Sequence, residues 1–143
     1  MLKEMKALAR EKNICVLATI TDRKPYCSLM AYVTDETCTE MYMVTHKQSK
    51  KYQNLIVNPA VSMLIDTRDT SPRSAARAMT VEGVFQEIKN PTKEKEVRGK
   101  LLSAHPHLNE FMQHPEAQVF QSKIIALLLL HGETQASLET ASC

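Results

Sequence analysis

The strongest constraint on this chain is a succession of short apolar segments, each bounded by turn residues. Segments of this length and pattern predict β-strands. Few helices separate them, and a doubly wound sheet would need more crossover helices. Closing an antiparallel sheet into a barrel also removes exposed strand edges. The sequence therefore predicts a mainly β fold, an antiparallel barrel, with strands at residues 14–20, 25–34, 40–45, 60–65, 76–88, 118–130 and 133–140.

Three short helices, a three-strand meander and a final hairpin complete the prediction. Apolar residues recur at helical spacing in residues 2–9, and a second helix begins at Ser49 and ends at Asn58-Pro59. A charged third helix is expected at 92–104, and 105–116 should be a loop with a helical turn. The first three strands should form a meander, and the last two should form a hairpin around His131-Gly132.

Composition limits the class of protein. A chain of 143 residues with 43% hydrophobic content predicts one domain, residues 1–143. The net charge is +2, and the charged residues form no long block of one sign along the chain. This distribution argues against a nucleic-acid partner. The longest apolar run, 124–130, is far shorter than the roughly 20 residues of a membrane span. The mixed charges of the first ten residues and four scattered cysteines are typical of a cytoplasmic protein.

One polar segment stands between a buried strand and a helix. It reads Thr45-His46-Lys47-Gln48-Ser49-Lys50-Lys51. Cations in the first turn of a helix are disfavoured by about 0.3 to 1 kcal/mol each unless an anion compensates them. A phosphate bound by the lysines, the Ser hydroxyl and the free N–H groups would reverse that effect. The charges by themselves leave two interpretations open, an anion site and a solvated basic turn.

Three segments of the chain follow one another in a recognisable order. They are VLATITDRKPYCSLMAYV, VTHKQSKKYQNLIVNPAVSMLI and ARAMTVEGVFQEI, and together they span about residues 13–88. The second resembles a strand ending in Thr, a Ser-Arg/Lys-Lys turn and an Asn-Pro-x-Val-Ser strand. This order is similar to that of the pyridoxamine 5'-phosphate oxidase-like FMN-binding split barrels. The resemblance implies an antiparallel split β-barrel of the FMN-binding type.

The same resemblance implies a cofactor site and a partner. The cofactor would be FMN, held between the two subunits of a homodimer. Its phosphate would lie on Ser49, Lys50 and Lys51, and its ribityl chain or ring edge beside Thr45 and His46. Its isoalloxazine ring would lie against the strand formed by Ser28, Leu29, Met30 and Ala31. No catalytic residue is predicted.

Two departures separate this chain from the oxidase itself. Ser28 stands where the oxidase has an Arg, and Lys50 replaces a more usual Arg, which removes bidentate geometry. The chain also contains no Trp, whereas the oxidase binds the phosphate of its substrate with an Arg and a Trp in its C-terminal region. Oxidation of pyridoxamine phosphate is therefore disfavoured. The leading hypothesis is an FMN-dependent oxidoreductase with an unidentified small-molecule electron donor or acceptor.

The sequence also leaves two alternative functions open. A flavin- or haem-binding module without turnover is one alternative, and a deazaflavin-dependent reductase, which needs further basic residues, is another. His105, His107 and His114 have no completing ligands and favour a surface loop over a metal site, so no metal is expected. His131 most simply marks a turn, with a haem role left open. The three glycines cannot form a dinucleotide or P-loop fingerprint.

Overall fold

The computed structural model describes residues 1–132 and 135–140 of the chain. Residues 133, 134 and 141–143 lie outside it, including the start of the strand predicted at 133–140 and Cys143. The helices are α1 (Leu2–Glu11), α2 (Lys50–Val57), α3 (Pro91–Ala104) and α4 (Asn109–Gln113). The strands are β1 (Ile14–Thr21), β2 (Lys24–Ala31), β3 (Val33–Thr34), β4 (Glu40–His46), β5 (Ala60–Asp66), β6 (Arg77–Glu87), β7 (Ala117–His131) and β8 (Gln135–Thr140). Short 3₁₀ turns lie at Arg73–Ala75 and Pro106–Leu108.

All strands belong to one antiparallel sheet that curls on itself. Its order is β2-β1-β5-β6-β7-β4-β3, and β8 pairs with the far half of β7. The two end strands, β2 and β3, are consecutive in the chain and are separated only by Tyr32. The sheet therefore returns to its own beginning, which confirms the predicted antiparallel barrel.

The barrel is closed by a very short pairing. β3 contacts β4 through two residue pairs, Val33↔Tyr42 and Thr34↔Met41. On its other edge β4 pairs with β7 over its whole length, from Glu40↔Lys123 to His46↔Ala117. The predicted strand 25–34 is thus interrupted at Tyr32. The first two strands of the predicted meander pair in full, from Ile14↔Ala31 to Thr21↔Lys24, whereas the second and third pair only at this junction. Beyond the junction β2 and β4 separate, and the barrel is split.

Polar groups fix the junction. The Tyr32 hydroxyl donates to the carbonyl of Ala9 at 2.7 Å. The Asp35 carboxylate accepts the backbone N–H groups of Thr39 at 2.7 Å and Glu40 at 3.0 Å. Burial opposes ionisation of Asp35, but hydrogen bonds from Thr39 and Glu40 outweigh it and hold the pKa of the carboxyl below its usual value. These bonds restrain the turn that brings β3 against β4.

Strand β4 is buried on both faces, as its unbroken apolar sequence predicts. One face packs in the barrel interior with α1, where Met5, Leu8, Leu17, Met43 and Phe120 are buried. The other face packs under α3 and α4, where Tyr42, Val44, Val97, Leu101 and Met112 form a second cluster. The second cluster positions the segment 105–116 beside the split. No helix in the described ranges is long and apolar enough to cross a membrane, and the cytoplasmic location stays a prediction.

Two glycines provide a test of this packing. Gly83 lies at the irregularity between β6 and β7, where an added Cβ would be 2.9 Å from the carbonyl oxygen of Lys123. Gly99 lies in α3, where an added Cβ meets nothing within 4 Å. We expect Gly83→Ala to lower the free energy of unfolding by about 1 to 3 kcal/mol. Gly99→Ala should raise it by about 0.5 to 1 kcal/mol. Urea denaturation measures both, and equal effects would contradict the packing described here.

Candidate functional site

The split between β2 and β4 opens as a pocket of about 200 Å³, here called the cleft. Its lining is apolar apart from one hydroxyl and one ammonium group. It consists of Leu29, Met30, Ala31, Val44, Thr45, Lys51, Leu108 and Phe111. Five of the nine residues predicted from the sequence therefore lie in one place: Leu29, Met30, Ala31, Thr45 and Lys51. Among the lining residues that the structure describes, Lys51 alone carries an ionisable group.

The cleft takes its β2 residues from the end of the strand next to Tyr32. Met30 pairs with Cys15 and is buried, with 6% of its surface exposed. Ser28 pairs with Leu17 and lies on the same face as Met30, but it is two residues farther from Tyr32 and is not part of the lining. Leu29 lies on the outer face and is 74% exposed. The β2 wall is thus an exposed apolar edge.

The opposite wall joins β4 to the start of α2. The Thr45 and Ser49 hydroxyl oxygens are 3.0 Å apart, and Ser49 caps α2 by accepting the N–H of Tyr52 at 3.2 Å. Thr45 is buried, Lys51 is half-buried in the lining, and Lys50 is exposed outside it. The first turn of α2 contains no acidic residue. The Lys51 ammonium group and the N-terminus of α2 therefore make this end of the cleft positive.

The three lysines of the basic segment do not converge. Lys47 borders a different pocket of about 380 Å³, together with Glu87 and Lys89. A strand end followed by a helix start sends neighbouring side chains in different directions. The positive charge of the cleft comes from Lys51 and the α2 N-terminus.

His46 lies in a stack of three rings at the side of the cleft. Its ring centroid is 4.2 Å from that of Phe111 and 4.6 Å from that of His114, with interplanar angles of 18° and 24°. Such pairs contribute about 0.5 to 1.5 kcal/mol each beyond area burial. The buried Nε2 of His46 has no hydrogen-bond partner in the part of the chain that the structure describes. A buried polar atom of this kind marks a place for an ordered water or a ligand group.

Sequence reasoning missed the third wall of the cleft. Leu108 and Phe111 come from the segment predicted as a loop, and their spacing of three residues is the one signal that could have indicated a shared helical face. The prediction that His105 lies in a surface loop is wrong, because it is 3% exposed and its Nε2 lies 3.0 Å from the carbonyl oxygen of Tyr32. His107 and His114 are exposed, as predicted. His131 lies at the end of β7, 3.9 Å from Glu4 and away from the cleft.

An apolar row crosses the outside of the sheet from the edge of the cleft. Directly paired residues share a face of a sheet. The pairs Leu29↔Val16, Val16↔Leu64, Leu64↔Thr80, Thr80↔Leu128 and Leu128↔Leu138 connect six strands. Leu64, Leu128 and Leu138 are 37%, 36% and 66% exposed. The cleft thus continues into an exposed apolar surface, here called the outer row.

Ser49 allows the helix cap to be tested apart from any ligand. Ser49→Ala removes the acceptor for the N–H of Tyr52 and should lower the free energy of unfolding by about 1 kcal/mol. Ser49→Asp supplies another good N-cap and should retain most of that stability. Thermal or urea unfolding of the ligand-free variants measures the difference. Equal losses in the two variants would contradict the role of Ser49 as the cap.

Solved structures of other proteins share this fold. A haem-binding protein from Mycobacterium smegmatis has a TM-score of 0.80 and 17% identity, with 95% of this chain and 57% of that chain covered. A FAD-binding protein from Mesorhizobium loti has a TM-score of 0.75 and 17% identity, with 90% and 93% covered. The haem storage protein from Vibrio cholerae has a TM-score of 0.73 and 17% identity, with 96% and 92% covered. Identities this low establish a common fold alone.

Sequence comparison places the chain more narrowly. No curated protein matches it significantly. Residues 1–129 match the pyridoxamine 5'-phosphate oxidase family. This match covers all the described helices, β1 to β6 and most of β7, and therefore every residue that lines the cleft. The chain belongs to the pyridoxamine 5'-phosphate oxidase family.

Proposed function

We propose that this protein binds FMN in the cleft and acts as an FMN-dependent oxidoreductase on a small molecule. The observation that carries the proposal is the composition of the lining, an apolar slot with a single cation, Lys51, next to the N-terminus of α2. The polarity of FMN matches this lining, because FMN has a flat apolar ring system at one end and a phosphate at the other. A FAD-binding relative in fold and the family membership add support.

The residues fit the two ends of FMN. Lys51 and Ser49 would hold the phosphate with the first N–H groups of α2, which have no acceptor within the helix. Lys50, exposed at the same turn, adds long-range charge. Leu29, Met30 and Ala31 would flank the ring, and Ser28, which does not line the cleft of the single chain, would lie next to them on β2. Thr45 and His46 would lie between these ends.

Bound FMN supplies hydride or single-electron transfer. The contribution of the chain is position, charge and exclusion of water. Lys51 would neutralise negative charge at one end of the cleft. Leu29 and Phe111 would shield the apolar end from water together with the second subunit proposed below. This chemistry needs no acid-base pair from the protein, which accords with a lining that has no carboxylate or imidazole among its described residues.

We also propose that FMN is shared between the subunits of a homodimer. Pockets for ligands of this size usually measure about 300 to 1,000 Å³, and the cleft in a single chain measures about 200 Å³. The outer row begins at Leu29, which is also a cleft residue. A second copy of the chain packed on the outer row would bury these leucines and enclose the open side of the cleft.

A haem-binding module is the second candidate function. Two relatives in fold are described as haem-binding and haem storage proteins. Met30 is the cleft residue of a type that can serve as an axial haem ligand. A deazaflavin-dependent reductase has less support, since Lys51 has no second basic neighbour among the described residues of the lining.

The spectrum of the purified protein tests the cofactor directly. We expect a flavin absorption spectrum, and free FMN after denaturation. Lys51→Glu should weaken FMN binding at least about tenfold, because a charge-assisted hydrogen bond contributes about 1.5 to 3 kcal/mol. Lys95→Glu makes the same charge change on an exposed site of α3 and serves as the control. A haem spectrum would favour the second candidate, and equal FMN affinity in the two variants would refute the phosphate site.

The homodimer has its own test. Leu64→Glu places a charge in the middle of the outer row, where Leu64 is 37% exposed. We expect this variant to be a monomer by light scattering and to bind FMN more weakly than the wild-type dimer. Val57→Glu changes an exposed residue of α2, 83% accessible and outside the outer row, and should remain a dimer. A dimeric Leu64→Glu variant would show that the subunits meet elsewhere.

A further inference from the structure

The segment 105–116, which forms the third wall of the cleft, is tied down at both ends. At its start, the Nε2–H group of the buried His105 donates a hydrogen bond to the carbonyl oxygen of Tyr32, the residue that follows β2. At its end the Arg98 guanidinium donates to the carbonyls of Met112 and Ala117, at 3.1 Å each. The N–H of Lys47 donates to the carbonyl of Glu116 at 2.9 Å. The backbone on both sides of Phe111 is therefore fixed to the barrel.

The Phe111 side chain is restrained as well. The His46 ring stacks on both Phe111 and His114. The His114 ring is itself held, because its Nδ1 accepts the N–H of Glu116 at 3.0 Å. Phe111 is 37% exposed and cannot leave the cleft wall without breaking its contact with His46. Beside it, Leu108 packs against the second core cluster.

These contacts therefore hold the Leu108 and Phe111 side of the cleft in place. Leu29 and Ala31 stand on one side, and Phe111 and Leu108 stand on the other. An isoalloxazine is a narrow strip of three fused rings, whereas a porphyrin is a square of four pyrrole rings that is wider than the strip. A porphyrin also carries two propionates, and Lys51 is the single cation that the described lining offers.

We infer that Phe111 is the residue that makes the cleft selective for FMN over haem. The Phe111 ring closes the space that the wider macrocycle needs, and His46 acts as a positioning residue that holds this ring in place. This inference rests on the proposed function, since it concerns which planar ligand the same cleft accepts. It also addresses a property that the fold leaves open, because proteins of this fold bind either flavin or haem.

The test compares two ligands on one set of variants. Wild type, Phe111→Ala and Glu110→Ala are each titrated with FMN and with haemin, and the ratio of the two dissociation constants is measured. Phe111→Ala should shift this ratio toward haemin by about tenfold or more. Glu110 is exposed on α4, next to Phe111 and outside the cleft, so Glu110→Ala should retain the wild-type ratio.

A second pair of variants examines the stack. His46→Ala removes the ring that supports Phe111 and should shift the ratio in the same direction as Phe111→Ala. His46→Phe keeps a flat ring between Phe111 and His114 and should restore the wild-type ratio. Loss of folding alone would weaken both ligands together, and for this reason the ratio is the deciding quantity.

The outcomes separate the inference from the proposed function. If wild type binds FMN and Phe111→Ala leaves the ratio unchanged, the inference is overturned and the proposed function stands. If wild type binds haemin as tightly as FMN, the inference is also overturned, because Phe111 then excludes nothing. If wild type binds haemin and not FMN, both fail, and the FMN titration of wild type identifies that case.

Discussion

The two residue pairs between β3 and β4 are the contact on which the rest of this architecture depends. They join the ends of a curled sheet, so the barrel is closed at one corner and open beyond it. If this pairing continued further, β2 and β4 would be hydrogen-bonded to each other and no cleft would remain between them. The hydrogen bonds of Tyr32 and Asp35 hold this corner in place, and His105 connects it to the segment that forms the third wall. The cleft is thus a consequence of where the sheet stops pairing.

Packing on both faces of β4 links this opening to the two cores. The barrel interior supports one face, and the layer of α3 and α4 supports the other. Of the cleft residues, Met30 belongs to the first core, Val44 belongs to the second and Leu108 packs against the second, whereas Leu29 stays exposed at the edge. Lys51 adds the one charge of the described lining, next to a helix N-terminus that favours an anion. An apolar cleft with one positive end has the distribution of polarity that the proposed flat, phosphorylated cofactor requires.

The fold itself is shared by proteins with different ligands, as the flavin- and haem-binding relatives illustrate. Function must therefore be argued from the lining of the site. In this chain the lining includes a strand edge, a helix start and a segment distant in sequence. Phe111, to which we assign ligand selectivity, comes from this distant segment. It is more than sixty positions away in sequence from His46, whose ring stacks on it.

The sequence by itself determined the elements and much of the site. Alternation and turn residues specified the strands, and Ser49 specified the start of α2. These features depend on local periodicity or on short motifs. The grouping of Leu29 to Ala31 with Thr45 and Lys51 followed from the family resemblance. Tertiary structure alone decided that Lys47 borders a different pocket, that His105 is buried and that Phe111 lines the cleft. Each of these depends on how segments far apart in the chain pack together, and no local pattern encodes such contacts.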